Sequence, residues 1–206
     1  MRIVAWFLAG AASLAAVGVL CGPALRRMML EWGATAQEVA RELPGDELLP
    51  DPDLVATRAI TIAAPPGAVW PWLLQIGIGR AGAYSYDWLD RLFGLDVRST
   101  RRIVPELQDL RVGDVIPVAN DGTGLRVRVI ERERVLGTST DDGTWAWTWL
   151  LEPAGGATRL LSRTRMATAQ ASLPARLATR FLLVPASWVM ERRMLRGLRE
   201  RAEGTG

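Results

Sequence analysis

The 206-residue sequence contains no histidine, and because it also lacks lysine all 25 of its basic residues are arginine. There is therefore no imidazole to act as base or metal ligand, and no side-chain amine to form a Schiff base. The single cysteine, Cys21, lies in an apolar run. That excludes an intrachain disulfide framework, a cysteine zinc cluster and a cysteine nucleophile in a folded site. Any catalysis is left to Asp, Glu, Tyr, Ser, Arg or bound water. No metal and no cofactor are expected.

Charge is also missing from residues 3 to 25, which Arg26 and Arg27 close. A helix of about 20 such residues matches the roughly 30 Å hydrocarbon core of a bilayer. The alternative is a cleaved signal peptide, but its apolar region runs about 7 to 15 residues and ends in an A-x-A-like site. A transmembrane anchor over 1–27 is expected, then a juxtamembrane helix and linker over 28–54 and a single domain over 55–206. Arg26, Arg27 and Arg41 follow the run and only Arg2 precedes it, which places the domain of a single-pass cell-membrane protein on the cytoplasmic side.

Residues 159 to 206 carry ten Arg against Glu191, Glu200 and Glu203. This basic segment reads either as a solvated helix face or as a surface for anionic lipid head groups. No nucleic-acid-binding motif accompanies it, so nucleic acid is not an expected partner.

Thr35 and Glu38 have capping-box spacing and predict a short helix from Ala36 to Leu43, stopped by Pro44-Gly45. The proline-bearing acidic stretch Asp46 to Asp53 reads as a linker. Alternation over 55–63 predicts a first strand. Two short helices follow, Ala68 to Ile76 with Pro71 in its first turn, and Ser85 to Phe93. Beyond Pro105 the period becomes two, and turn signals every ten residues or so predict an antiparallel meander. A long helix from Leu173 to Ala202, kinked at Pro185, ends the chain. Its apolar stripe contains Leu177, Phe181, Val184, Trp188, Leu195 and Leu198. This α+β order has a physical solution in which a curved sheet wraps the terminal helix and encloses an apolar cavity between them.

Trp145, Trp147 and Trp149 recur at period two and so share one strand face. They line that cavity or form a core layer beneath the helix. Gln75, Arg80, Tyr84, Ser85 and Tyr86, close to Trp72, gather hydrogen-bonding groups where the two short helices meet. They either orient a ligand at the mouth or tie loops together. Gly77-Ile-Gly79-Arg-Ala-Gly82 matches G-x-G-x-x-G but follows a helical segment, so it reads as a loop and not as a dinucleotide site. Arg159, Arg163 and Arg165 share a strand face, where they hold a ligand anion or pair with neighbours such as Glu131 or Glu133. Asp87 and Asp90 are the carboxylates nearest the expected mouth and form no evident acid pair.

Several runs resemble the SRPBCC superfamily of helix-grip proteins, and within it a membrane-anchored actinobacterial group described as polyketide cyclase/dehydrase and lipid transport. The runs are Trp32-Gly-Ala-Thr35, Leu43-Pro-Gly-Asp46, Val69-Trp-Pro-Trp-Leu73, Tyr84-Ser-Tyr-Asp-Trp-Leu89, Pro105-Glu-Leu-Gln108, Thr158-Arg-Leu-Leu-Ser-Arg163 and Met190-Glu-Arg-Arg-Met-Leu195. The resemblance implies a START-like curved antiparallel sheet around a long C-terminal helix, with two short helices after the first strand. It also implies a cavity for a hydrophobic small molecule or lipid, with Tyr84 and its neighbours, and Arg163, among the contacting residues. It carries no universal catalytic residue. Three functions are left open: membrane-anchored binding of such a ligand, a polyketide cyclase/dehydrase-like enzyme, and a membrane-tethered interaction module with a filled core.

Overall fold

The computed structural model describes residues 22–92, 94–168 and 172–204. Residues 22–30 form helix α1, and Ala36–Ala40 form α2. Strand β1 (Leu54–Ile62) is followed by helices α3 (Pro66–Leu74) and α4 (Asp87–Leu92). Strands β2 (Val115–Pro117), β3 (Gly124–Glu131), β4 (Val135–Ser139), β5 (Trp145–Ala154) and β6 (Ala157–Met166) come next. Helix α5 (Leu173–Ala178), a π-helical turn (Thr179–Leu183) and α6 (Val184–Ala202) close the order. The six strands form one antiparallel sheet in the order β1-β6-β5-β4-β3-β2. With α6 packed against its concave face, this is the expected helix-grip α+β fold.

Register explains how the sheet makes two cores. On the concave face, Ile60, Leu160 and Leu151 lie side by side on β1, β6 and β5. They join Leu195 and Leu198 of α6, and Val69 and Leu73 of α3, in the main apolar cluster. On the convex face, Ala59, Leu161 and Leu150 meet Leu43 and Val135 in a second cluster. Because both faces are covered, β1 is buried at seven of its nine positions instead of alternating.

The convex cover is the stretch that the sequence presents as a linker. Asp46 is buried there, accepting from Arg163 Nη1 at 2.7 Å and pairing with Arg165 at 3.2 Å. Its Oδ2 also accepts from the Leu43 N–H at 3.0 Å. The expected capping box is present: Thr35 Oγ1 accepts from the Glu38 N–H, and Glu38 Oε2 from the Thr35 N–H. Arg159 then holds Glu38 at 2.7 Å, which ties α2 to β6.

Helix α2 stops at Ala40, short of the expected Leu43, and two further details of the helices differ from the expectation. Pro71 lies inside α3 and not in its first turn; the carbonyl it would have bonded four residues back belongs to Gly67, where no side chain adds to the crowding. The terminal helix changes register through the π turn immediately before Pro185, whose missing N–H such a turn accommodates. Leu177 of α5 and Phe181 of the π turn, both in the expected apolar stripe, are exposed.

Among the described residues no helix is long and apolar enough to cross a membrane. The expected single-pass localisation in the cell membrane, with a cytoplasmic domain, is corrected on that finding. Residues 1–21, which carry most of the run behind it, lie outside the described residues. Residues 22–27 belong to α1, which bears Arg26 and Arg27 and is largely exposed.

Candidate functional site

Three cross-strand rows floor a cavity of about 460 Å3 between the sheet and α6. Leu54, Met166 and Trp145 form the first row, Ala56, Thr164 and Trp147 the second, and Arg58, Ser162 and Trp149 the third. Trp145 and Trp147 are half-buried, whereas Trp149 is only 1% exposed, so the rows run from an accessible end to a closed one. The next row, Ile60–Leu160–Leu151, is already the main core. Met190, Glu191 and Met194 of α6 form the opposite wall, and Gly77, Ile78 and Ser85 contribute from the loop and turn around α4.

The tryptophans form a ladder. Ring centroids lie 6.0 Å apart for Trp145–Trp147, at 20° between planes, and 4.4 Å apart for Trp147–Trp149, at 35°. Trp147 Nε1 donates to Ser162 Oγ at 2.8 Å, which fixes the middle ring. The indole N–H groups of Trp145 and Trp149 have no partner. A flat face of stacked indoles suits an apolar ligand, and the unpaired donors in its edge are among the few polar points of the lining.

At the closed end a guanidinium and a carboxylate are buried together. Arg58 is 1% exposed and Glu191 7%. Arg58 Nη1 binds Glu191 Oε2, Nε donates to the Met29 carbonyl at 2.9 Å, and Nη2 donates to Ser187 Oγ at 3.2 Å. Burial pushes the Glu191 carboxyl up, while Arg58 and the nearby Ser162 hydroxyl pull it down. Glu191 Oε1 receives no hydrogen bond of ordinary geometry. Asp90 also lines the cavity, with Oδ2 unpartnered, and burial aided by the Asp87 charge pushes its carboxyl up.

The other residues singled out from sequence are scaffold and do not line this cavity. Gln75 is fully buried; it donates to the Arg102 carbonyl and accepts from the Val104 N–H and from Gln108, pinning the loop after α4. Arg80 turns back onto the Leu74 and Ile76 carbonyls at the end of α3, and burial lowers its pKa. Tyr84 donates to the Trp72 carbonyl at 3.1 Å, packs edge-on against the Trp72 ring and lies beneath Arg201. Burial pushes its hydroxyl up to about 12. Tyr86 packs on Trp88 at the surface side of α4. Arg163 points to the convex face, where Asp46, Thr57 Oγ1 and the Glu38, Val39 and Arg41 carbonyls take its donors. Asp87 is likewise engaged, accepting from the Ser99 N–H and hydroxyl. The strand arginines pair with Glu38 and Asp46, not with Glu131 or Glu133.

The glycine pattern is a loop, as its context requires. Gly77 and Gly82 exchange two backbone hydrogen bonds of 3.1 Å and both have positive φ. Among the described residues no three His, Cys, Asp or Glu side chains gather as they would around a metal ion.

No family model and no curated protein matches the chain. Among solved structures it is similar to CalC, a self-sacrificing resistance protein from Micromonospora echinospora, at 12% identity and a TM-score of 0.46, covering 75% of this chain and 97% of that one. It is also similar to the Polyketide_cyc-like protein Cgl2372 from Corynebacterium glutamicum, at 20% identity and a TM-score of 0.35, covering 73% and 88%. A third likeness is to the AHSA1-like protein from Aeromonas hydrophila, at 18% identity and a TM-score of 0.39, covering 73% and 94%. All three likenesses fall below 25% identity and below a TM-score of 0.5. At such identities and scores they assign neither ligand nor activity to this chain.

Proposed function

We propose that the chain binds a hydrophobic small molecule or lipid between α6 and the tryptophan ladder. The observation that carries this reading is the cavity itself, about 460 Å3 with an almost wholly apolar lining. Its size falls within the about 300–1,000 Å3 of small-molecule sites. A filled core, as an interaction module would have, fits that volume poorly. The resemblance to helix-grip proteins described as polyketide cyclase/dehydrase and lipid transport points the same way. Native mass spectrometry of the full-length protein tests it: a small molecule bound one to one, and lost in Trp147→Ala, is the expected result. An empty protein that takes up no fatty alcohol, sterol or polycyclic aromatic overturns the reading.

A cyclase/dehydrase-like enzyme is the second reading, favoured by one observation. The Asp90 carboxyl is buried at the cavity wall with a raised pKa and an unpartnered Oδ2, as a group exchanging protons with an apolar substrate requires. Turnover of a polyketide-like substrate that falls at least about 100-fold in Asp90→Asn supports catalysis. Unchanged turnover in that variant removes its base.

A further inference from the structure

The closed end of the cavity carries chemistry that an apolar ligand alone does not satisfy. Glu191 is only 7% exposed, yet Oε1 receives no hydrogen bond of ordinary geometry. Leaving such an atom dry and unpaired is costly, and charged acceptors cost more than neutral ones. Among its neighbours beside Arg58, the Ser162 hydroxyl alone acts on this carboxyl. Arg58 directs Nη1 at Oε2, Nε at the Met29 carbonyl and Nη2 at Ser187 Oγ, and none of its nitrogens bonds Oε1. The Ser162 hydroxyl lies near but makes no well-formed bond to Oε1. In the same cross-strand row, the Trp149 indole N–H is an unpaired donor at 1% exposure.

From this geometry we infer that the buried end selects an uncharged hydroxyl, so that the preferred ligand is an apolar alcohol or phenol whose O–H donates to Glu191 Oε1. The inference rests on the binding reading above and narrows it to a substrate class. A hydroxyl is both donor and acceptor, so it answers Glu191 and leaves an oxygen for an indole N–H. A hydrocarbon or an ether answers no acceptor. A carboxylate meets Glu191 and Asp90, while Glu191 already balances the charge of Arg58, the one basic side chain among the described lining residues. An ammonium group gains little from Glu191, whose charge Arg58 balances, and it cannot accept from an indole. The choice is therefore made by hydrogen-bond pairing and not by net charge, a kind of selectivity that strengthens with burial.

Isothermal titration calorimetry of the full-length protein with four matched probes tests this: 1-decanol, its methyl ether, decanoate and decylamine. We expect 1-decanol to bind about tenfold or more tighter than each of the other three, the size of one buried hydrogen bond to a charged acceptor. In Glu191→Gln the amide oxygen takes Arg58 and turns an N–H2 group to the cavity, so the preference for alcohol over ether falls to within about threefold. Circular dichroism reports whether that variant folds; if it does not, the wild-type series decides alone. Four equal affinities, or tighter binding of the ether, acid or amine, overturn the hydroxyl assignment while leaving a binding cavity in place. Failure of all four to bind overturns the cavity reading and the hydroxyl assignment together.

Discussion

Tyr84 adopts φ 54°, in the left-handed region that a bulky residue enters only under constraint. The constraint is visible on every side: the Trp72 carbonyl takes its hydroxyl, Ser99 Oγ accepts from its N–H, and Gly197 of α6 lies against its backbone. A Cβ at Gly197 would stand 2.3 Å from the Tyr84 carbonyl oxygen. We therefore expect Gly197→Ala to lower stability by about 1–3 kcal/mol in urea unfolding, since backbone and not a flexible side chain must move. An unchanged midpoint would mean that α6 does not approach Tyr84 so closely. Arg163 is the second residue on which a distant element depends. Arg163→Leu removes the main partner of buried Asp46, and about 3 kcal/mol should be lost. That figure is at the low end for a broken buried pair because Arg165 remains 3.2 Å from the same carboxylate.

Among the elements, α2 is only five residues long, and it is held by its cap and by β6 rather than by helical propensity. Arg159 and the Thr35 N–H hold the Glu38 carboxyl down at about 2, from an ordinary value of 4.5. A folded pKa below the unfolded one gives stability that is present above the ordinary value and is lost as pH falls towards 2. Partial exposure screens the pair, so Glu38→Gln should cost about 1–2 kcal/mol at neutral pH. Urea unfolding from pH 7 to pH 2 should show the deficit shrinking below about 4.5 and closing near 2. A deficit independent of pH would place the effect elsewhere than in the ion pair. Helix α5 and the π turn make the opposite case. Leu177 and Phe181 are 47% and 64% exposed, so replacing either by Ser should change stability by less than about 0.5 kcal/mol.

At the scale of the whole molecule, the two-sided sheet makes residues 30–49 part of the domain. Deleting residues 1–49 should leave Arg163 without Asp46, expose the cluster around Leu161, and abolish cooperative unfolding. A 50–206 fragment that unfolds with the full-length midpoint would contradict this. Composition hid that packing, because prolines and acids in Asp46 to Asp53 read as a spacer, and only the partner strand reveals that Asp46 is paired. The antiparallel meander and the shared face of the three tryptophans were legible, since turn signals and period two mark them, whereas the pairing of β1 with β6 had no local signal. Tyr84 and Gln75 stood out by their hydrogen-bonding groups, but no local period marks Trp72, Val104 and Gln108 as the partners that hold them. Glu191 had a signal that went unread. It lies on the same α6 face as Val184, Leu195 and Leu198, where a carboxylate stands out from the stripe, and Arg58 breaks the apolar β1 in the same way. The runs that carry the family resemblance also meet one another in space: Asp46 with Arg163, the Pro71 carbonyl with Gln108, and Ser85 with the Met190 carbonyl. They record how the fold is held, and so they reveal little of the ligand.

Indoles as close as Trp147 and Trp149, with centroids 4.4 Å apart, couple their electronic transitions. Such a pair gives a dichroic band in the near ultraviolet whose sign and size depend on the angle between the rings. The cavity is thus floored by its own chromophore. Any occupant that shifts the ladder by a few degrees will register there without a label, even among the nine tryptophans of the chain.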